Sequence, residues 1–208
     1  RRAGLEARYS LMKAYVLTPD ELAAEAAMLE NAGVQAITIM DSAGYMFPEQ
    51  AAEYTRKVKS AVSIPVGFHG HSNLGMAMAN AQAAEAAGAD FIDCGLMGMA
   101  RSAGNITTEG ALAIFQREGK ALQYDFYALL HFIDDKLMPA MEKEGYHTPI
   151  KPLDLILGYA GCHSSFVNTY KEVAKETGTD LYKLIVETSK RNQKNPCLLY
   201  TSPSPRDP

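Results

Sequence analysis

The sequence predicts an α/β fold: four βα units forming part of a (β/α)8 TIM barrel, followed by a helical C-terminal region. Three observations predict it. Residues 22–40 and 76–94 repeat one order, an Ala-rich helix, then Ala-Gly, then an apolar strand, with a further strand unit between them. The connections are short, and strands alternating with helices imply a parallel sheet. The strands are apolar almost throughout, as strands covered on both faces are. No GxGxxG opens a helix, so a dinucleotide site has no support.

Each element has its own signal. Tyr9–Val16 reads as the first strand. TPDE (18–21) is a capping box, with Thr18 as N-cap, Pro19 at the first helical position and Glu21 reaching back. The helix it opens runs to Ala32–Gly33, where glycine suits a left-handed terminus. VQAITIMD (34–41) is a buried strand. Pro48 opens a helix ending near Ser60. SIPVGFHGH (63–71) is the third strand, Ser72 or Asn73 caps the helix that closes on Gly88, and ADFIDCGLMG (89–98) is the fourth strand. From about 106 the texture turns helical, through ITTEGALAIFQREG, ALQYDFYALLHFIDDKLMPAMEKEG, SSFVNTYKEVAKETG and DLYKLIVETSKRN. Residues 1–118 are thus assigned to the barrel and 119–194 to a helical region. Tyr124, Phe126, Tyr127, Phe132 and Tyr170 are expected to pack those helices onto the barrel. The tail, 195–208, ends in three prolines and two serines within eight positions. It cannot continue a helix and is expected to be disordered, either an ordinary flexible terminus or a non-native, adapter-like extension.

Bulk properties exclude several functions. The 208 residues are 47% hydrophobic and 21% charged, with a net charge of −4, giving no general attraction to nucleic acid or an anionic membrane. Apolar runs such as AITIM (36–40) are too short to span a bilayer. RRAGLEARYS has no apolar stretch behind its arginines and is not a secretory signal. Cys94, Cys162 and Cys197 are odd in number and widely spaced, so neither a disulfide framework nor a CxxC site is readable. A reducing cytoplasm fits.

The chemistry concentrates in GFHGHSNLG (67–75). Side chains two apart on a strand share a face, so His69 and His71 are expected to point together toward the barrel axis at the C-terminal rim, where sites of this fold lie. Two neutral imidazoles side by side suit a divalent cation. They do not complete a site, and a carboxylate and open positions are needed as well. Asp41 and Asp93 end neighbouring strands. Either is placed to orient a histidine from behind, and Asp41 alternatively caps the next turn of the chain.

FHGHSNLGMAMAN, MDSAG (40–44) and GMARSAGN (98–105) resemble the pyruvate aldolases typified by 4-hydroxy-2-oxovalerate aldolase, of the superfamily that includes HMG-CoA lyase and the isopropylmalate and homocitrate synthases. The likeness runs from about residue 9 to 118 and, more weakly, to about 180. It implies that His69 and His71 bind a divalent metal, usually Mn2+, and that Ser42 and His69 contact substrate. Asn105 matches an asparagine lying near or on the metal in some members; otherwise it is a loop residue tolerating an unusual backbone conformation. It implies cleavage of a 4-hydroxy-2-oxo acid to pyruvate and an aldehyde, and docking of an acylating acetaldehyde dehydrogenase on the helical region.

Three departures qualify the resemblance. The family's first strand carries a metal-binding aspartate, an arginine and a catalytic histidine, which RRAGLEARYS does not match. The chain is therefore expected to be the C-terminal part, about the last four βα units, of a longer enzyme, and to be inactive alone. In GYAGCHSSF (158–166), His163 stands where the aldolases have tyrosine; it is the candidate catalytic residue here, able to donate a hydrogen bond or shuttle a proton. GLMGMARSAGN lacks the cysteine of HMG-CoA lyases, and Cys94 is expected to be a small packed residue. A Claisen-type acyltransferase or lyase of the same superfamily remains the rival. A Schiff-base aldolase needs a buried lysine at a strand end, whereas Lys57 and Lys59 fall late in a polar helix.

Overall fold

The structure is a computed structural model in which residues 4–146 and 152–195 are described. Four strands, β1 (Arg8–Leu11), β2 (Ala36–Asp41), β3 (Val66–Gly70) and β4 (Phe91–Asp93), form one sheet in sequence order, every neighbouring pair parallel. The crossovers are α1 (Pro19–Asn31), α2 (Pro48–Ala61) and α3 (Ala77–Ala86), with α4 (Thr108–Arg117) after β4.

Local signals set these helices as read. Thr18 Oγ1 accepts the Glu21 N–H while the Glu21 carboxylate accepts the Thr18 N–H at 2.8 Å. Pro48 takes the first turn of α2, and Gln50 accepts the Phe47 N–H. The expected cap of α3 is not found: neither Ser72 nor Asn73 caps it, because the chain first turns through Gly75, whose N–H bonds the Ser72 carbonyl. Asn73 instead donates to Ser102 Oγ at 2.7 Å.

The first and fourth strands are shorter than expected. A left-handed Lys13 ends β1, and Ala14–Val16 is a 3-10 turn. After β4 the chain bends into another, Leu96–Gly98, with Met97 also left-handed. Cys94 falls beyond the strand and is exposed, so it is not the packed residue expected.

Register decides what each face carries. Ile37 pairs with Val66, Ile39 with Phe68 and Asp41 with Gly70. This face meets α1–α3, and its core includes Ile37, Ile39, Phe68, Leu22, Val58 and Ala81. The opposite face aligns Thr38, Gly67 and Phe91 in one row and Met40, His69 and Asp93 in the next. Gly67 is required there: a Cβ would lie 2.1 Å from the Phe91 ring, which fills that space.

The C-terminal helices differ more from expectation. α5 (Phe126–Phe132) runs through a π-helical turn, Ile133–Leu137, into α6 (Met138–Lys143). Pro139, in the first turn of α6, has no N–H to give the preceding turn, and the widened segment absorbs that loss. α7 (Pro152–Ala160) was not anticipated. With α8 (Val167–Thr177) and α9 (Leu181–Arg191) it forms a separate small cluster around Leu157, Tyr170 and Ile185. Of the five aromatics expected to pack this region, Tyr170 is buried, whereas Tyr124, Tyr127 and Phe132 are exposed, Tyr127 at 74%. No described helix is long and apolar enough to cross a membrane. The tail reading concerns 195–208, of which all but Asn195 lies outside the described residues.

Candidate functional site

The site is built where β2, β3 and β4 end. His69, the fourth residue of β3, sits between Met40 and Asp93 on the face away from the helices. Its Nδ1 is 3.7 Å from Asp93 Oδ2, so Asp93 is the carboxylate that flanks the pair.

His71 lies one step past the ladder. Its N–H bonds the Asp41 carbonyl at 3.1 Å, and it forms an isolated antiparallel bridge with Asn105. The two imidazoles meet edge to face, centroids 5.4 Å apart. Burial, helped by charge from His69, His163 and Arg101, lowers the His71 pKa to about 4, against a backbone hydrogen bond at Arg101 that raises it. A neutral ring keeps a lone pair to offer, and the buried His71 Nδ1 has no hydrogen-bond partner. The Asn105 side-chain oxygen is likewise buried without one. Two imidazoles and an adjacent amide oxygen suit a divalent cation in chemistry and placement. Among the described residues no group of three or more His, Cys, Asp or Glu is placed to hold a metal, so further ligands must be water, substrate or residues from elsewhere.

Asp41 takes the second of its two expected roles. It pairs with Gly70 on the helix-facing side, and its two carboxylate oxygens accept the Tyr45 and Met46 N–H groups at 2.9 and 3.0 Å. It is a turn cap; its carboxylate does not orient a histidine. Complete burial raises its pKa to about 6, although those backbone N–H groups pull the other way. Ser42 is also buried, and its hydroxyl accepts the Lys13 N–H at 2.9 Å. It ties two rim turns together, its hydroxyl donating in turn to the Met40 carbonyl at 3.5 Å.

His163 reaches the rim from the turn after α7. Its Nδ1 accepts the Ser165 N–H at 3.2 Å and lies 2.8 Å from Ser165 Oγ. Accepting at Nδ1 assigns the proton of the neutral ring to Nε2. Burial, then the positive charges of Arg101 and Lys13, lower its pKa. The imidazole is a neutral donor. Lys57 and Lys59 form surface ion pairs with Asp20 and Asp90, each at 2.7 Å, which removes them as Schiff-base candidates.

Two residues escaped sequence reading. Tyr15 buries a hydroxyl without a hydrogen-bond partner beside the Tyr45 ring; one tyrosine in a short N-terminal run gives no signal. Arg101 faces the histidines electrostatically. Its signal was present, as the only charge between Asp93 and Glu109. A cleft of ≈ 730 Å³ lies elsewhere, between β4 and α4, and is lined by Phe91, Ile92, Leu112 and Phe115.

The family model described as HMGL-like matches residues 1–135. The chain belongs to the HMGL-like family. A 4-hydroxy-2-oxovalerate aldolase of Rhodococcus opacus is 36% identical over 191 residues, covering 92% of this chain and 54% of that protein. Another, of Moorella thermoacetica, is 37% identical over 194 residues, with 92% and 56% covered. The chain spans about half the length of the curated relatives it matches. Among solved structures, the N-terminal domain of a Bacteroides vulgatus protein provisionally classed as an aldolase superposes with a TM-score of 0.65 at 27% identity, over 76% of this chain and 51% of that one. The carboxyl transferase domain of Rhizobium etli pyruvate carboxylase, with oxalate, gives 0.73 at 16% identity, over 91% of this chain and 34% of that one. The latter shares the fold alone. An HMGL-like barrel accounts for the parallel sheet and for a site at the strand ends.

Proposed function

We propose that the protein is a carbon–carbon lyase, a divalent-metal-dependent aldolase that cleaves a 4-hydroxy-2-oxo acid such as 4-hydroxy-2-oxovalerate to pyruvate and an aldehyde. The observation that carries this reading is the pairing of His69 and His71 on the inward face, with His71 Nδ1 unpartnered and the side-chain oxygen of its bridge partner Asn105 also buried without a hydrogen bond. The names of the relatives support the same reaction. Mn2+ is the cation of this reading, with His69 and His71 as its ligands and Asn105 beside them. When bound, it supplies positive charge against the negative charge that develops on the 2-oxo oxygen as C3–C4 breaks.

The chain's own residues do the rest. Asp93 holds the His69 ring in place. Neutral His71 keeps its lone pair available near pH 7. Ser42 turns its hydroxyl hydrogen from the Met40 carbonyl, 3.5 Å away, to a substrate oxygen. His163, standing where the resembled aldolases have tyrosine, presents its Nε2 proton to the C4 oxygen. Tyr124, Tyr127 and Phe132 are exposed on the helical region, where an acylating acetaldehyde dehydrogenase would dock in this reading.

The test is the intact protein given 4-hydroxy-2-oxovalerate and a manganese salt. Pyruvate release without CoA is expected, together with loss of bound manganese and of turnover in the His69→Ala, His71→Ala double variant. No cleavage, with CoA released from acetyl-CoA and a 2-oxo acid, would place the protein with the Claisen-type enzymes instead.

A further inference from the structure

The turn between Gly98 and Asn105 is held tightly. Gly104 N–H bonds the Arg101 carbonyl at 3.3 Å, Asn105 N–H the Gly98 carbonyl at 3.0 Å, and Ser72 N–H the Gly104 carbonyl at 2.8 Å. Ser102 is left-handed, with its hydroxyl bonded by Asn73. A Cβ at Gly104, also at positive φ, would lie 2.4 Å from the Gly98 oxygen, so the turn closes directly on itself. This rigid frame carries an exposed Arg101 beside His71.

The surroundings leave that cation without a counter-charge. No hydrogen bond or ion pair among the described residues engages its guanidinium. The nearby carboxylates are committed elsewhere: Asp93 flanks His69, and Asp41 caps its turn on the far side of the sheet. The turn that carries Arg101 is bridged to His71 through Asn105 and bonded to Ser72 through Gly104, so it stands on the same rim as the groups assigned to the metal. A guanidinium on a rigid turn, with all its donors unspent, is suited to a planar carboxylate, which it can take with two parallel hydrogen bonds.

We propose that Arg101 binds a carboxylate on the aldehyde half of the substrate, so that the preferred substrate is a 2-oxo diacid rather than one ending in methyl. The assignment rests on the aldolase reading for which half of the substrate is involved. In that reading the 2-oxo acid end lies at the histidine pair and the C4 oxygen at His163. An exposed group beyond them meets the substrate carbons past C4. A substrate ending in methyl leaves the guanidinium to water; a carboxylate there replaces that water with charge-assisted bonds.

The experiment uses two unreactive analogues that lack the C4 hydroxyl, 2-oxoglutarate and 2-oxovalerate. Each is titrated calorimetrically into the manganese-loaded intact protein, its Arg101→Met variant and its Arg101→Lys variant. The expected result is about tenfold or tighter binding of 2-oxoglutarate, a preference that collapses in the methionine variant and is partly kept by lysine. Equal affinities, no binding of either, or a preference unchanged by Arg101→Met would overturn the proposal. Cleavage of 4-hydroxy-2-oxoglutarate is measured in parallel. Selective binding without cleavage upholds Arg101 and sinks the aldolase reading; cleavage of diacid and methyl substrates at equal kcat/KM sinks Arg101 and leaves that reading standing.

Discussion

Buried His71 is a neutral ring in the folded chain, and that has a consequence for acid stability. An unfolded histidine takes up its proton near pH 6.5, whereas His71 resists until about pH 4. Between those values the unfolded chain binds the extra proton, so stability is lost as pH falls, and none of this loss is present above about pH 6.5. The shift bounds the effect at about 3 kcal/mol. Denaturation midpoints of the metal-free protein, measured from pH 7 to 4, are expected to fall less steeply in His71→Gln than in the parent. Asp41 makes a different prediction. Asp41→Ala strips the acceptors from two backbone N–H groups, Tyr45 and Met46, next to a fully buried position. A loss of about 2–4 kcal/mol is expected by chemical denaturation, with Asp41→Asn losing less because one acceptor oxygen remains. The histidine pair was legible because period two on a strand leaves one answer about facing. The fate of Asp41 was not, because a carboxylate ending a strand serves a turn or a site equally well until the register with Gly70 is known.

At the level of elements, the turn after β2 is set against the end of β3. A Cβ on Gly44, whose φ is +60°, would lie 2.6 Å from both Asn73 N and His71 O, which are backbone atoms that cannot step aside. Gly44→Ala is therefore expected to weaken manganese binding as well as stability, by displacing the strand that carries His71. Gly75→Ala shares a positive φ but meets open space, so it should lower the melting temperature with a much smaller effect on metal affinity; calorimetry on both variants decides it. Periodicity and capping residues made α1, α2 and the β2–β3 core readable, since those signals are local. The short β1 and β4, the π-turn before Pro139 and the whole of α7 were not readable. Each depends on a backbone twist or on packing partners far away in sequence, such as the α7 contact with α9 that buries Leu157 and Ile185.

For the whole molecule, the sheet is the important fact. Among the described residues nothing pairs with the outer edge of β1 or β4, and Arg8, Tyr9 and Ser10 on β1 are exposed. Open strand edges recruit other strands. The 208-residue chain produced by itself is expected to self-associate, giving size-exclusion and light-scattering masses above 22.6 kDa. A sharply melting monomer would contradict this. The parallel order was legible from the repeat of helix, Ala-Gly and strand. That these four strands leave two open sides was not, because no single strand's composition reports its missing neighbour.

His69 is fastened by the ladder, whereas His71, tied to the sheet by one bond from its N–H to the Asp41 carbonyl, is also bridged to Asn105 on another loop. The two imidazoles thus answer to partly separate anchors. Changes confined to residues 95–105 can swing one donor while its companion stays put, retuning the bite of the pair for a different ion or a bulkier guest without a single substitution in the sheet.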